Sequence, residues 1–342
     1  MPQVRKSLEQ FRPIFNAMKK AFLSLVAFVF ATVCFAQQTL VATLTHGEEV
    51  TMFYGTYAYR DAMAAAVDGD VINLSGGAFQ ACTINKAVSI RGTGVDAAQP
   101  TFIINNFDIN IPAETTGRLT MEGLRVSNTM TVKGTLTNAY FLKNILACYT
   151  TYNSSTIAKN SMFVNCNIQS FSIDYGTSQA QFLNSYVSNY YCNGNSSSAC
   201  FLNCVIRPYD GSRADFICNS ALINSCLVFT YSNAYMLPSS TSATNCIAVG
   251  SKNNTFEYLQ ASINNKSVAD MSLFIDSDYM QDLTDEAKAT YLGTDGTPVG
   301  MYGGPMPFDL TPTYPQITKM NVASKTTADG KLSVDIEVSA AK

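Results

Sequence analysis

Arginine, tyrosine and aspartate side chains are most densely grouped in the segment RPYDGSRAD, residues 207–215. The five polar side chains are those of Arg207, Tyr209, Asp210, Arg213 and Asp215. Guanidinium, phenol and carboxylate groups this close together can bind a polar ligand, and exposed turns often carry binding residues. The alternative is a solvated turn whose local ion pairs contribute little to stability. The segment is therefore the candidate ligand-binding site of this chain.

Carboxylates are too sparse in the middle of the chain for a glycosidase or a calcium site. Between residues 119 and 250 the acids are Glu122, Asp174, Asp210 and Asp215. Glycoside hydrolysis needs two carboxylates flanking the bond, and Ca²⁺ needs several oxygen ligands. The single histidine, His46, is interpreted as an ordinary exposed loop residue. We therefore expect no catalytic residue, no metal site and no cofactor.

Tyrosine is the other side chain here that suits a ligand, because exposed aromatic faces beside Asn and Ser can stack on sugar rings. The tyrosines near predicted strand ends and turns are Tyr149, Tyr152, Tyr175, Tyr186, Tyr190, Tyr191, Tyr209, Tyr231 and Tyr235. Tyrosines along the flank of a β-structure also pack against one another. Of the two interpretations, we favour packing.

Charge and an N-terminal apolar run bear on partners and location. The net charge is -3 with 14% charged residues and no basic run, which argues against nucleic acid. MKKAFLSLVAFVFATVCFAQQ, residues 18–38, combines two lysines, an apolar run short for a membrane span, and a small residue at Ala36. This is the pattern of a secretory signal. We predict a start at Met18, cleavage after Ala36, no transmembrane span in the mature chain, and a periplasmic, cell-surface or secreted location. Lipid attachment at Cys34 is disfavoured by the large Val33 before it.

A short sequence recurs and indicates the fold. FLNCVI begins at Phe201, and FLNSYV and FVNCNI begin 19 and 38 residues earlier. The equivalent positions, at steps of 19 to 22 residues, are Gly123, Asn144, Cys166, Ser185, Cys204, Cys226 and Cys246. Gly92 is an earlier member, and the repeat is expected to stop after Gly250. Short apolar segments bounded by Asn, Gly and Ser indicate strands. A period near 20 without a leucine-rich pattern predicts coils of a parallel β-helix, stacked about 4.8 Å apart.

The repeat also interprets the cysteines and asparagines. Because Ser and Gly are accepted where Cys166, Cys204, Cys226 and Cys246 occur, these cysteines are predicted to be small buried thiols. Cys192 and Cys200, on either side of a loop, are the alternative for a disulfide. The asparagines that precede the column, Asn165, Asn184, Asn203 and Asn245, are predicted to hydrogen-bond to one another's amides along the axis.

Residues 56–94 predict an N-terminal cap, with a short helix followed by strands in VINL and in AFQACTINKAVSIRGTG. Thr56 is the predicted N-cap, and Ala62, Met63, Ala66 and Val67 form the predicted apolar face. The text DGDVINLSGGAF followed by CTINKAVSIRGTG resembles the first coil of right-handed parallel β-helix proteins of the pectin-lyase-like superfamily. LVATLTHGEEVTMFYG and DGTPVGMYGGPMPF are also similar to exported β-helix proteins of Bacteroidetes, mostly of unassigned function.

The resemblance implies an all-β fold: a right-handed parallel β-helix solenoid with a short N-terminal capping helix and C-terminal edge strands. The superfamily contains polysaccharide lyases and glycoside hydrolases. The resemblance implies that a lyase of this shape would carry a carboxylate cluster that holds Ca²⁺, beside a Lys or Arg that abstracts a proton. Because this chain lacks such a cluster, we expect a non-catalytic, adhesin-like protein that binds a polysaccharide or cell-surface glycan. The alternative is a polysaccharide lyase that acts near residues 207–215.

Three regions are predicted along the chain. Residues 1–36 form a leader and signal peptide, residues 37–275 the β-helix with its N-terminal cap, and residues 276–342 a C-terminal capping segment. LTDEAKATYL in the last region is predicted to contain a short helix. PQITKMNVA and KLSVDIEVSA, on either side of Ala328-Asp329-Gly330, are predicted to pair as a terminal hairpin. That hairpin covers the last coil, adds to a sheet edge, or serves as a sorting signal.

Overall fold

The computed structural model describes residues 40–173, 175–192, 197–208, 220–229, 237, 239–250, 256–257, 259–276, 281–322, 330–331 and 333–339. The predicted export signal, residues 18–38, lies outside these residues. Within the described part of the chain, neither α-helix has the length and hydropathy that a membrane span requires.

Short strands dominate the described chain. In chain order they are β1 Val41–His46, β2 Glu49–Tyr54, β3 Val71–Leu74, β4 Gly77–Gln80, β5 Ser89–Arg91, β6 Thr101–Ile104, β7 Phe107–Ile109, β8 Thr120–Glu122, β9 Leu124–Val132, β10 Thr135–Thr137, β11 Tyr140–Leu142, β12 Ile145–Thr151, β13 Ile157–Val164, β14 Asn167–Ile168, β15 Phe171–Ile173, β16 Thr177–Leu183, β17 Tyr186–Cys192, β18 Ser198–Leu202, β19 Val205–Pro208, β20 Ser220–Asn224, β21 Leu227–Phe229, β22 Ser242–Thr244, β23 Ile247–Val249, β24 Ala261–Ile263, β25 Lys266–Val268, β26 Phe274–Asp276, β27 Gln281–Leu283, β28 Gln316–Val322 and β29 Val334–Ser339. The α-helices are α1 Ala58–Ala65 and α2 Asp285–Thr290, and a 3₁₀ helix spans Met271–Leu273.

These strands build the predicted parallel β-helix. The first sheet runs in the order β2-β1-β3-β5-β8-β11-β13-β16-β18-β20-β22-β24, with β10 beside β13. The second runs β25-β23-β21-β19-β17-β14-β12-β9-β6-β4, with β7 and β15 beside its path. From β3 onward the paired strands within both sheets are parallel, so each coil contributes one strand to each sheet and lies on the coil before it.

Equivalent residues of successive coils lie over one another, as the repeat predicts. The registers of the first sheet place Asn144, Cys166, Ser185, Cys204, Cys226 and Cys246 in one continuous column. Asn265 extends this column by one coil, in β24 and β25. The expectation that the repeat stops after Gly250 is therefore wrong. The equivalent of FLNCVI in the last coil is SINNKS, residues 262–267, in which Ile263 is the one apolar residue, so the apolar pattern of the repeat is lost there.

The predicted alignment is also wrong by one residue at Gly123. Glu122 pairs with Leu142, so Gly123 is in register with Lys143, and Leu124 with Asn144. Gly123 has φ +68° and belongs to the corner where the chain turns from the first sheet to the second. Glycine fits both the small column position and this left-handed corner, so sequence spacing alone did not distinguish them.

The corner position explains the recurrent asparagines differently from the prediction. Asn165, Asn184, Asn203 and Asn245 adopt φ values of +50°, +44°, +51° and +49°. Asparagine enters this left-handed region more readily than other residues with a Cβ, because its short side chain can hydrogen-bond locally. Within the described residues, these four amides do not bond to one another. The Nδ2 atom of Asn184, for example, donates to the carbonyl oxygens of Met301 and Gly303, at 2.9 and 2.6 Å.

In the column itself, side chains accept backbone N–H groups from the coil before. Asn144 Oδ1 accepts from the N–H of Leu124 at 2.9 Å, Ser185 Oγ from Cys166 at 3.1 Å, and Cys226 Sγ from Cys204 at 3.4 Å. The thiol of Cys226 is thus a hydrogen-bond acceptor as well as a small buried group. Asn, Ser and Cys share this ability to accept a backbone N–H. All described cysteines are free, as predicted for the column, and the alternative disulfide between Cys192 and Cys200 is not formed.

The interior is held by stacked aromatic rings. Phe141, Phe163, Phe182 and Phe201 stack in sequence, with ring centroids 4.7, 5.1 and 4.6 Å apart. Tyr149, Phe171 and Tyr190 form a second stack from the opposite sheet, at 5.0 and 5.4 Å, and meet the first edge-on. Such pairs contribute about 0.5–1.5 kcal/mol beyond the burial of their area. The first residue of FLNCVI therefore supplies one ring of a continuous column.

The N-terminal end is covered by the antiparallel hairpin β1–β2 and by α1. Strand β1 pairs antiparallel with β3, which joins the hairpin to the first coil. Helix α1 buries Ala62, Met63 and Ala66 as predicted, but Val67 is 49% exposed because the helix has ended before it. The N-cap is Tyr57 and makes no side-chain capping bond, so the prediction of Thr56 is wrong. The ammonium group of Lys86 donates instead to carbonyls at the end of α1.

The chain after the last coil lies along the side of the solenoid. Helix α2 is confirmed, with Thr284 as its N-cap. The outward face of the second sheet packs against the segment that includes α2. On the sheet this face comprises Val205, Leu227, Phe229, Ile247 and Val249, and on the covering segment Leu283, Ala287, Val299 and Met301.

Residues 293–314 are here called the return segment. They run back toward the N-terminal coils along the aligned corner residues, here called the corner column: Gly123, Lys143, Asn165, Asn184, Asn203 and Ser225. Gly300 N–H donates to the carbonyl of Ser225, and the hydroxyl of Tyr314 donates to the carbonyl of Gly92. The terminal hairpin follows, with β28 and β29 paired antiparallel as predicted. It begins two residues after Tyr314, and among the described strands β28 and β29 pair only with each other, so the hairpin does not extend either large sheet. That it covers the last coil stays a prediction. Its role as a sorting signal stays a prediction.

Candidate functional site

Of the cluster predicted to bind a ligand, Arg207 lies within the described residues. Its guanidinium donates to the hydroxyl of Tyr186 at 3.1 Å and lies 6.0 Å from the ring centre of Phe229. It extends from β19 in the second sheet and is half-buried. Tyr209, Asp210, Arg213 and Asp215 lie outside the described residues, so their joint role stays a prediction. What the structure shows of Arg207 is a side chain engaged in packing.

Glu122 is the described member of the four acids noted in the middle of the chain, and it is occupied structurally. Its side chain is 4% exposed, and Oε1 accepts from the N–H and the hydroxyl of Thr313, at 2.6 and 2.7 Å. One residue further along the chain, Gly123 is approached closely by the hydroxyl of Tyr314. The carboxylate therefore anchors the return segment and is not presented to solvent.

A second anchor lies one coil further along the corner column. The Nζ atom of Lys143, 8% exposed, bonds to Asp309 Oδ2 at 2.9 Å and to the carbonyl of Thr311 at 2.6 Å. Partial burial raises the pKa of Asp309, but the hydrogen bond from Lys143 and those from Thr311 outweigh it, and the net pKa is lowered. The ion pair of Lys143 with Asp309 and the hydrogen bonds of Glu122 to Thr313 thus hold the return segment in place.

His46, the single histidine, is also engaged in a structural contact. His46 is 65% exposed as expected, but it is not isolated: Nδ1 lies 2.7 Å from the buried carboxylate of Asp70. This hydrogen bond raises the pKa of His46. No group of three or more His, Cys, Asp or Glu side chains in the described residues is arranged to hold a metal ion.

The packing interpretation of the tyrosines is confirmed for some of them and not for others. Tyr149, Tyr186 and Tyr190 are buried, and two of them belong to the aromatic core. Tyr152 and Tyr175 are each 59% exposed. Tyr191 is half-buried, and Tyr209, Tyr231 and Tyr235 lie outside the described residues. Exposed tyrosine faces are thus present, but they do not mark one site.

A groove that the sequence did not indicate lies on the outward face of the first sheet. It crosses β13, β16, β18 and β20 and has a volume of about 290 Å³. Its lining residues are Asn160, Gln179, Ala180, Gln181, Ser198, Ala199, Cys200, Ser220 and Leu222. None of these side chains carries a charge at neutral pH. A solvent-open groove of this lining can exchange hydrogen bonds with an uncharged polar ligand.

The register arranges the groove as two columns of side chains. Gln179, Ser198 and Ser220 lie in one column, and Gln181, Cys200 and Leu222 in the other. Strand alternation makes all six point outward, because residues two apart share a face. A signal was present in the sequence: Gln179 and Gln181 occupy the outward positions just before FLNSYV, and Ser198 and Cys200 the same positions before FLNCVI. Sequence reasoning followed the inward column and so missed the outward ones.

Comparison with known proteins adds no family to this picture: no family model, no curated protein and no solved structure matches the chain.

Proposed function

We propose that this chain is an exported, non-catalytic, adhesin-like β-helix protein that binds a polysaccharide or a cell-surface glycan. The observation that supports it best is the groove on the first sheet, in which the uncharged polar side chains of Gln179, Ser198 and Ser220 lie in register on successive coils. Sugars carry many hydroxyl groups, which both donate and accept hydrogen bonds. A rigid surface with repeating uncharged partners suits them, because it loses little conformational freedom on binding.

The engaged state of the ionisable groups favours binding over catalysis. Glu122 is anchored to Thr313, and Arg207 donates to Tyr186. A lyase needs a base within reach of the substrate proton and groups that stabilise the resulting charge. Glu122, the described member of the four acids in the middle of the chain, and Arg207, the described member of the predicted cluster, are committed to structural contacts instead.

Membership of the pectin-lyase-like superfamily and an origin in Bacteroidetes belong to the proposal as well. The parallel β-solenoid, preceded by a hairpin and a short helix, supports the first. Export is supported by the signal-like text of residues 18–38, and the mature chain is proposed to begin after Ala36. The division into a β-helix at residues 37–275 and a C-terminal segment at residues 276–342 is part of the same proposal.

Arg207, Tyr209, Asp210, Arg213 and Asp215 are proposed as a second contact region for the glycan. The support is chain connectivity: residues 209–219 connect the end of β19 to Ser220, which is the first residue of β20 and lines the groove. Their contribution is expected to be smaller than that of the groove, because Arg207 itself is engaged with Tyr186.

Binding of the purified protein to a glycan array tests the proposal, and we expect binding to a subset of glycans. A parallel screen incubates the protein with uronate-containing polymers, with and without Ca²⁺, and follows the ultraviolet absorbance of unsaturated products. No product is expected. Calcium-dependent turnover would establish the alternative, a polysaccharide lyase, and silence across the array would contradict glycan binding. The double variant Arg213→Ala/Asp215→Ala, expected to weaken binding a few-fold, tests the second contact region.

A further inference from the structure

We propose that the groove across β16, β18 and β20 binds one uncharged polysaccharide chain parallel to the solenoid axis, with successive sugar rings on successive coils. The inference rests on the proposed function and specifies its site, the charge class of the ligand and the direction in which it lies.

The groove repeats at the distance between coils. Neighbouring strands of a sheet lie about 4.8 Å apart, which is close to the length of one pyranose ring along an extended chain. Each coil offers the same two outward positions, for example Gln179 and Gln181 on β16, and Ser198 and Cys200 on β18. Crossing the four strands that line the groove covers about 14 Å. A chain along the axis therefore meets a polar side chain of the first column on each of these coils, first Gln179, then Ser198 and then Ser220, whereas a chain along one strand leaves the groove within a few residues.

The lining selects an uncharged ligand. The described side-chain contacts give the amides of Gln179 and Gln181 no hydrogen-bond partner, so both are available to a ligand. Each amide offers two donor hydrogens and one acceptor oxygen, which matches vicinal hydroxyl groups. The lining has neither Lys nor Arg to pair with a uronate, so a carboxylate there gains no ion pair, whereas a neutral sugar needs none. Leu222, 52% exposed, gives an apolar patch for the C–H face of a sugar.

The size of the groove fixes how much of the ligand it holds. About 290 Å³ is at the lower end of small-molecule sites. Because the groove is open to solvent, a longer chain can continue beyond it in both directions. The site therefore recognises an internal stretch of a few rings, and a hexasaccharide is long enough to fill it.

Calorimetric titration of the full protein with cello-, manno- and xylo-hexaose, and with oligogalacturonate as the charged comparison, tests the proposal. At least one neutral hexasaccharide is expected to bind, and oligogalacturonate at least tenfold more weakly. The double variant Gln179→Ala/Gln181→Ala is expected to weaken neutral binding about tenfold or more, because it removes the two amides that bond to the ligand. The matched control is Gln169→Ala, an exposed glutamine between two strands of the second sheet, which is expected to leave binding unchanged.

Cys200 provides a second readout that needs no substitution. Its thiol is free and half-buried in the groove, and burial raises its pKa, so it alkylates slowly. A bound neutral chain is expected to slow alkylation of Cys200 by a maleimide several-fold further, measured peptide by peptide. Cys148, a half-buried free thiol on the second sheet, is the control whose rate does not change.

The outcomes separate the two proposals. Binding that survives in the double variant, or that leaves Cys200 unprotected, refutes the groove while glycan binding stands. Preferential binding of oligogalacturonate refutes the uncharged ligand. Failure of every oligosaccharide here, together with a silent glycan array, refutes both proposals. Unchanged circular dichroism and melting temperature of the double variant exclude loss of fold as the cause of weak binding.

Discussion

Replacing Glu122 by alanine is expected to release the return segment from the N-terminal coils and to lower the free energy of unfolding by about 3 kcal/mol. The carboxylate is 4% exposed and binds both the N–H and the hydroxyl of Thr313, at 2.6 and 2.7 Å. These are the polar contacts through which the solenoid holds the segment just before Tyr314. Their loss leaves Tyr314 on one side, and Asp309 and Thr311 on the other, as the neighbouring anchors.

The magnitude follows from these two bonds. A hydrogen bond to a charged group contributes about 1.5–3 kcal/mol, so two of them give about 3–6 kcal/mol. The lower end applies, because alanine also relieves the cost of burying a carboxylate, and Thr313 regains water once the segment lifts away. Glu122→Gln keeps the shape and an acceptor oxygen but loses the charge, so about half of the effect is expected.

Urea unfolding and hydrogen exchange measure the two consequences separately. In Glu122→Ala, the amides of Thr313 and Tyr314 are expected to exchange about 100-fold faster, which corresponds to about 3 kcal/mol. Asp309 and Thr311 are expected to change less, because Lys143 still holds them. Amides in the interior of β16 and β18 are expected to change much less, because the coils there do not depend on the segment locally.

The control is Glu114→Ala, which removes the same side chain from an exposed position and is expected to change stability by less than about 0.5 kcal/mol. If Glu122→Ala behaves like this control in both experiments, the anchoring role of the buried carboxylate is wrong. If exchange accelerates uniformly along the chain, the segment is not a separable unit and the local interpretation fails.

Three further predictions concern the core, the column and the N-terminal hairpin. Phe182→Ala removes one ring from the continuous stack and is expected to cost about 3–5 kcal/mol in urea unfolding; a cost below about 1 kcal/mol contradicts the stack. Cys226→Ala leaves the buried N–H of Cys204 without its acceptor and is expected to cost about 1–3 kcal/mol, whereas Cys226→Ser costs less; the reverse order contradicts hydrogen bonding by the thiol. The bond to Asp70 raises the pKa of His46 above 6.5, so its stabilising contribution is full below that pH and is lost as pH rises through the raised pKa. An NMR titration that gives His46 a pKa at or below 6.5 refutes this, and His46→Gln is expected to abolish the dependence.

The repeat made the solenoid predictable from sequence, because each coil must present the same small and apolar residues at the same place. Spacing alone placed Asn144, Cys166 and Ser185 in one column, and the structure confirms it. It did not settle Gly123, because glycine satisfies two different demands, a small side chain and a positive φ. Only the pairing of Glu122 with Leu142 distinguishes them.

The repeat in the sequence could not predict the position of the return segment. Its contacts join residues far apart in the chain, such as Glu122 and Thr313, and they have no period. The text DGTPVGMYGGPMPF gave a resemblance but no geometry. The structure supplies the reason for one of its glycines: Gly304 has φ +75°, and a Cβ there would collide with the side chain of Asn203. Close approach to the corner column, not chain flexibility, explains that residue.

The groove is an intermediate case. Its residues obey the repeat, yet outward positions of a strand tolerate any polar side chain, so nothing in one coil marks Gln179 as special. The groove forms because outward residues of neighbouring coils lie side by side in register, and this alignment is known only once the strand pairing is known.

The return segment also constrains the number of coils between its two anchor points. It touches the coil of Ser225 at one end and that of Gly92 at the other, a span of about 29 Å over six steps between coils. Solenoids commonly gain or lose whole repeats. Between these two points, one added coil would move every anchor by about 4.8 Å and leave Lys143 or Glu122 facing the wrong partner. Growth by duplication is therefore disfavoured between the coils of Gly92 and Ser225.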